Sequence, residues 1–153
     1  MSGLAYTLDN APKFVGKELG LSEWMVIDQG RIDAFADATE DHQWIHQAGS
    51  QADAGPFGGP VAHGLLALGL TVKFAKDTGA LPEDASMCVN YGYEHIRFPA
   101  PVLAGARVRC RTTLKKVDAR DDGSLLLTTE YRVEVEGSEK PAMICDCLGV
   151  FYR

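Results

Sequence analysis

The densest run of chemistry-bearing side chains is Asp41-His42-Gln43-Trp44-Ile45-His46, followed by a second polar pair, His63-Gly64. Asp41 and His46 stand five positions apart. A carboxylate and an imidazole held together can grip one water between them, one taking its proton and the other returning a proton to the reacting partner. An imidazole with an ordinary pKa of about 6.5 suits either role near neutrality. A carboxylate serves as base if a dry site raises its pKa, and otherwise orients the ring. Gly64 falls where a helix should open, so its backbone N–H has no carbonyl within the helix to bond. Such an N–H can polarise a carbonyl, and losing one donor of this kind typically raises a barrier by about 3 kcal/mol.

Plainer readings compete for each residue. Asp41 and His46 could be a loop ion pair. His63 could pack or cap at the helix start, or take part in binding substrate. His42 and His46, four apart, have the spacing of a metal site, but no glutamate or cysteine stands in the complementary place, so no metal is expected. His95 reads as a sheet-face residue. Trp44 and Phe57 fit either a ligand tunnel or buried packing, and so do Tyr91 and Tyr93, placed on one strand face. Arg97, Arg109 and Lys73 could meet phosphates, although solvation is the default for such side chains.

The elements that must position these groups divide the chain into two halves. In the first, Trp24 to Ile27 suggests a short strand, and Arg31 to Ala38 a short amphipathic helix with Ile32, Phe35 and Ala36 on one face. A Gly- and Ala-rich loop spans Ala48 to Gly59. Pro60 suits a helix opening, and from Val61 to about Lys76 the chain is apolar nearly all round, the mark of a buried helix. Thr78-Gly79-Ala80-Leu81-Pro82 ends it. In the second half, period-two alternation through Arg107–Arg111, Leu125–Glu136 and Ala142–Tyr152 indicates antiparallel strands, with hairpin turns at Asp121-Asp122-Gly123 and Glu136-Gly137-Ser138. One apolar helix and a run of antiparallel strands imply an α+β layout, with the sheet wrapped around the helix.

With 153 residues, the chain suits one domain, 1–153, with a core that needs no staples. A net charge of −6 argues against a nucleic-acid partner, yet permits one small anionic ligand. The start lacks a signal-peptide pattern, and the most apolar stretch, Val61 to Leu70, is too short to span a bilayer. A cytoplasmic protein with no membrane contact is expected. The four cysteines, Cys88, Cys110, Cys145 and Cys147, read as reduced thiols, and Cys145 and Cys147 as neighbours on one strand face.

Taken together, the motifs resemble the MaoC-like dehydratase family, which includes the (R)-specific enoyl-CoA hydratases. That family carries Asp-x-Asn-Pro-x-His on a segment overhanging the substrate tunnel, then His-Gly at the head of the central helix. Asp41 and His46 match the spacing, and His63-Gly64-Leu65-Leu66 matches the second motif. Arg97-Phe98-Pro99-Ala100-Pro101-Val102 with Gly105 resembles the following strand and turn. Gln43 replaces the usual Asn as a stand-in that would help fix the loop, Trp44 replaces Pro, and Glu40 stands where the family commonly has Gly. The Gln-Trp-x-His form is similar to a subgroup related to nodulation protein N.

The resemblance implies a hot-dog fold, an antiparallel sheet around a long buried central helix. It implies hydration of a trans-2-enoyl-CoA to an (R)-3-hydroxyacyl-CoA, with Asp41 and His46 catalytic. Gly64, Gln43 and His63 would hold substrate or its oxyanion. It implies a homodimer and an acyl-CoA thioester substrate. No cofactor is expected, since CoA arrives with the substrate. An acyl-CoA thioesterase of the same fold and a non-catalytic acyl-thioester-binding subunit are the alternatives.

Overall fold

The computed structural model describes residues 5–153. Six strands form one antiparallel sheet. β1 (Glu18–Leu21) and β2 (Met25–Val26) are short. β3 (Met87–Arg97), β4 (Arg107–Ala119), β5 (Leu125–Val135) and β6 (Met143–Tyr152) are long. The order is β1-β4-β5-β6-β3, with β2 also pairing to β4. The alternation in β4 and β5 buries Val108, Cys110, Thr112 and Leu114 beside Leu127, Thr129, Tyr131 and Val133. The polar partners face outward and form ion pairs across strands, such as Arg109 with Glu134 at 2.7 Å and Arg107 with Glu136 at 2.9 Å. Both expected hairpin turns carry a glycine in the left-handed region, Gly123 at φ +84° and Gly137 at φ +79°.

The first-half strand expected at Trp24 to Ile27 contracts to Met25–Val26, and β1 precedes it. The reason is non-local: β1 and β2 divide the length of β4, Leu21 pairing with Arg111 and Met25 with Val108.

The helix expected over Arg31–Ala38 runs as α1, Gln29–Thr39, opened by Asp28, whose carboxylate accepts from the Arg31 N–H at 2.8 Å. A single turn, α2, spans Ser50–Asp53. The central helix comprises α3 (Gly64–Gly69) and α4 (Thr71–Asp77), joined through Leu70. Leu70 donates to the Leu66 carbonyl and Phe74 to the Leu70 carbonyl, so i→i−4 bonding continues across the joint. The helix begins at Gly64 rather than Val61. The Val61 N–H is taken by the Ile45 carbonyl and the Ala62 N–H by the Val102 carbonyl, which holds the chain extended there.

Leu66, Ala67, Phe74 and Ala75 pack onto the sheet's inner face with Val108, Tyr131, Val133 and Met143. A second apolar cluster, Tyr6, Leu8, Leu114, Leu127 and Phe151, closes one end. The helix is apolar on its other face too, where Leu65 and Val72 are exposed, and Met87, Val89 and Tyr91 of β3 are exposed as well. Tyr91 and Tyr93 do not share one environment. A bulge between Asn90 and Gly92 interrupts the alternation, leaving Tyr91 exposed while the half-buried Tyr93 hydroxyl lies 3.2 Å from Thr71 Oγ1. All four cysteines are free. Burial first, then the neighbouring Cys147, pushes the Cys145 thiol up to about 12. Among the described residues, no helix is long and apolar enough to cross a membrane.

Candidate active site

Three segments meet at the head of the central helix. α1 ends at Glu40, which adopts a left-handed conformation, φ +59° and ψ +22°. That reversal turns the chain back, and Asp41 is the next residue. Glycine would take this conformation without cost, whereas Glu40 has a Cβ to accommodate. A 3₁₀ turn, Trp44–His46, then carries His46 inward. The turn is closed by the His46 N–H donating to the Gln43 carbonyl at 3.0 Å. Trp44 lies over Gly55, where a Cβ would come within 2.9 Å of the indole. Finally the extended Val61-Ala62-His63 segment brings His63 in as the residue before α3.

His46 and His63 are buried, and the Asp41 side chain is about half-exposed, at 51 %. Asp41 Oδ2 lies 4.0 Å from His46 Nε2 and 3.9 Å from His63 Nε2. The two imidazoles stack, with centroids 3.7 Å apart and planes 24° from parallel. Phe35 of α1 packs on the His63 ring at 4.8 Å.

Main-chain carbonyls fix the tautomers. His46 Nδ1 is 2.6 Å from the Val61 carbonyl oxygen, which can only accept, so Nδ1 bears the hydrogen. His46 Nε2 in the uncharged ring is then the lone-pair nitrogen, and it is the one that faces Asp41. His63 Nε2 is 3.0 Å from the Asp41 carbonyl oxygen and by the same reasoning is the donor. Asp41 Oδ2, His46 Nε2 and His63 Nε2 lie within 4.8 Å of one another, near enough to share a cation. His63 Nε2 directs a hydrogen rather than a lone pair, however, so only Asp41 and His46 offer donors there. Nor is the His42–His46 pair a metal site: His42 turns outward to Asp37, 3.7 Å away.

The other expected residues divide. The Gly64 N–H sits in the first helical turn, beside the His63 side chain. A Cβ on Gly64 would meet the Phe98 ring at 3.0 Å, so any side chain here requires that ring to shift. Gln43 contributes through its main chain, its N–H 3.4 Å from Asp41 Oδ1, while its side chain is exposed and takes no part in the site's hydrogen bonds. Gln29, unremarkable in sequence, lies beneath the site. Its Nε2 donates to the His46 carbonyl at 2.8 Å and to Asp33 at 2.8 Å. Nothing local marks it, because its partner lies 17 residues away.

An open groove of about 340 Å³ borders the two histidines, lined by Phe57, Val61, Ala62, Gly64, Phe98 and Val102. Phe57 faces this groove, whereas Trp44 packs on Gly55. A second cavity, about 220 Å³, lies farther along the helix between Thr71, Ala75 and the sheet residues Cys88, Leu127, Tyr131 and Gly149. Arg109 lies over the Trp24 ring at 4.5 Å and bonds Glu134, Lys73 pairs with Asp77, and Arg97 donates to the Ile96 carbonyl. His95 is on the opposite face of the sheet, bonded to Asp146 at 3.0 Å.

A carboxylate facing an imidazole nitrogen, with a backbone N–H at the helix start and an apolar groove alongside, is an arrangement able to do acid–base work on a bound water. The MaoC-like domain model matches residues 10–136, and the chain belongs to the MaoC-like dehydratase family. It is an enzyme of the hydro-lyase class. It is 41% identical over 133 residues to 3-hydroxyacyl-thioester dehydratase Z of Mycobacterium tuberculosis, covering 87% of each chain. It is 40% identical over 147 residues to nodulation protein N of Rhizobium leguminosarum, covering 94% of this chain and 90% of that one. Its fold matches an (R)-hydratase from A. caviae involved in PHA biosynthesis, with a TM-score of 0.70 at 20% identity over 88% of this chain and 94% of that one. A monoamine oxidase regulatory protein from Archaeoglobus superposes with a TM-score of 0.78 at 20% identity over 90% and 89%. The hot-dog fold is therefore the fold of this chain.

Proposed function

We propose that the protein is an (R)-specific enoyl-CoA hydratase, adding water to a trans-2-enoyl-CoA to give an (R)-3-hydroxyacyl-CoA, and reversing that reaction. The observation that carries this reading is the Asp41–His46 pair, with its tautomer set by the Val61 carbonyl and the lone pair of Nε2 facing a carboxylate 4.0 Å away. One water at ordinary hydrogen-bond distance, about 2.8 Å, reaches both atoms. His46 Nε2 takes a proton from that water, the hydroxide oxygen bonds to C3, and electrons move onto the thioester oxygen. The Gly64 N–H holds this oxyanion. The His46 Nε2–H then protonates C2 on the same face as the added hydroxyl, while Asp41 stabilises the transient imidazolium. The names of the dehydratase and (R)-hydratase relatives support the same reaction.

CoA enters as part of the substrate, and the chemistry draws on no resident cofactor. We also propose a cytoplasmic homodimer. β3 is an edge strand, so one side of its backbone lacks a partner in the sheet, and Met87, Val89 and Tyr91 on it are exposed together with Leu65 and Val72 of the helix.

The test is to follow loss of the enoyl-thioester absorbance of crotonyl-CoA. The product is typed with (R)- and (S)-specific dehydrogenases, and free thiol is assayed in parallel. The expected result is an (R) product without thiol release, with Asp41→Asn and His46→Gln each slower by a factor of about 10² or more. Thiol release would instead assign a thioesterase. No turnover of crotonyl-CoA or longer enoyl chains would leave a binding role.

A further inference from the structure

His63 makes contacts that packing alone does not call for. It is 3% exposed and sits at the helix start, yet its side chain makes no capping bond. One ring nitrogen, Nε2, is spent on the main chain of Asp41, 22 residues earlier. The other, Nδ1, is buried and has no partner. A buried acceptor without a partner is a cost to the folded state. Turning the ring over to relieve it would break the bond to Asp41 and leave that carbonyl without its donor. The ring is also pinned from both sides, by Phe35 at 4.8 Å and by His46 at 3.7 Å.

We propose that His63 is the positioning residue of the site. It holds the Asp41 main chain through its Nε2–H, and its flat face fixes the plane of the His46 ring, so that Nε2 of His46 and Oδ2 of Asp41 converge on one point. The positioning role deepens the hydratase reading and, for its kinetic part, rests on it. Gln29 braces the same assembly from the other side by bonding the His46 carbonyl. Three restraints from outside the Asp41–His46 segment act on His46, one on its main chain from Gln29 and two on its ring, from the Val61 carbonyl and from the His63 face.

Two variants separate the two contacts of His63. His63→Phe keeps a flat ring and removes the donor. His63→Gln keeps an N–H donor and removes the ring. With crotonyl-CoA, each is expected to lower kcat roughly 10- to 100-fold while KM changes by less than about threefold, as for a misplacement of about 1 Å. Nitrogen-15 NMR of the imidazoles supplies a readout independent of turnover. Wild type should show His63 hydrogen on Nε2 and His46 hydrogen on Nδ1; folded His63→Gln, which removes the stacked ring, should shift and broaden the His46 ring signals while its hydrogen stays on Nδ1, held by the Val61 carbonyl.

Two findings would overturn the proposal: folded His63→Phe with wild-type kcat, or His46 ring signals that do not change in folded His63→Gln. If wild type fails to turn over enoyl-CoA, the hydratase reading falls, and the His46 ring signals still decide the positioning role. If His63→Phe does not fold, His63→Gln and the wild-type spectra decide it.

Discussion

Asp41, His46, His63 and Gly64, which the fold brings together, could be picked out in the sequence because they lie within 24 consecutive residues at the spacing of two short motifs. Their supports were not, since Gln29 and Phe98 reach the site from outside that stretch and look like ordinary surface and strand residues. Glu40 shows how a departure from the family pattern has a physical meaning. Its φ of +59° explains why glycine is common there and what the substitution does to stability. Glu40→Gly should remove the left-handed penalty and add some chain entropy to the unfolded state, for a net gain of roughly 0.5 kcal/mol. The checks are a denaturant titration and the crotonyl-CoA assay, in which activity should stay within twofold, because the Glu40 side chain forms no hydrogen bond or ion pair with Asp41 or His46 and glycine keeps the left-handed turn.

At the scale of elements, the strands declared themselves by period-two alternation wherever one face is core and the other water, as in β4 and β5. The alternation also marks the outer row of charges. Burial raises the Glu134 carboxyl, but Arg109 and then Arg111 lower it further, so the net value lies below the ordinary one. A lowered folded-state pKa means that this contribution is complete above the unfolded value and is lost as pH falls through the folded value. Glu134→Gln should therefore cost up to about 1 kcal/mol at pH 7, the range for a partly exposed pair. Urea unfolding of both proteins at pH 7 and again near pH 3 checks this, and the difference should shrink at the lower pH. What alternation missed has one cause. The division of β4 between β1 and β2, the bulge at Tyr91 and the late start of α3 all depend on which distant backbone group supplies the hydrogen bond.

At the scale of the molecule, the all-round apolarity of the central helix carried two messages. Leu66, Ala67, Phe74 and Ala75 answer to the sheet, and Leu65 and Val72 stay exposed, as do Met87, Val89 and Tyr91 of the edge strand β3. If that edge is where two copies join, Val89→Lys should convert a dimer into a folded monomer, since a charge on an exposed edge opposes pairing without touching the core. Light scattering with size-exclusion chromatography gives the mass directly, and a wild-type mass equal to one chain would remove the dimer from the account.

The contiguity of the site has a further consequence. Residues 29–64 carry Asp41, both histidines, Gly64 and the Gln29 and Phe35 supports, whereas the second cavity draws its walls from the rest of the helix and from the sheet. The catalytic candidates and the walls of the second cavity thus occupy separate blocks of the gene. A single recombination joint downstream of Gly64 would exchange the walls of the second cavity while leaving Asp41, His46, His63 and Gly64 as they are.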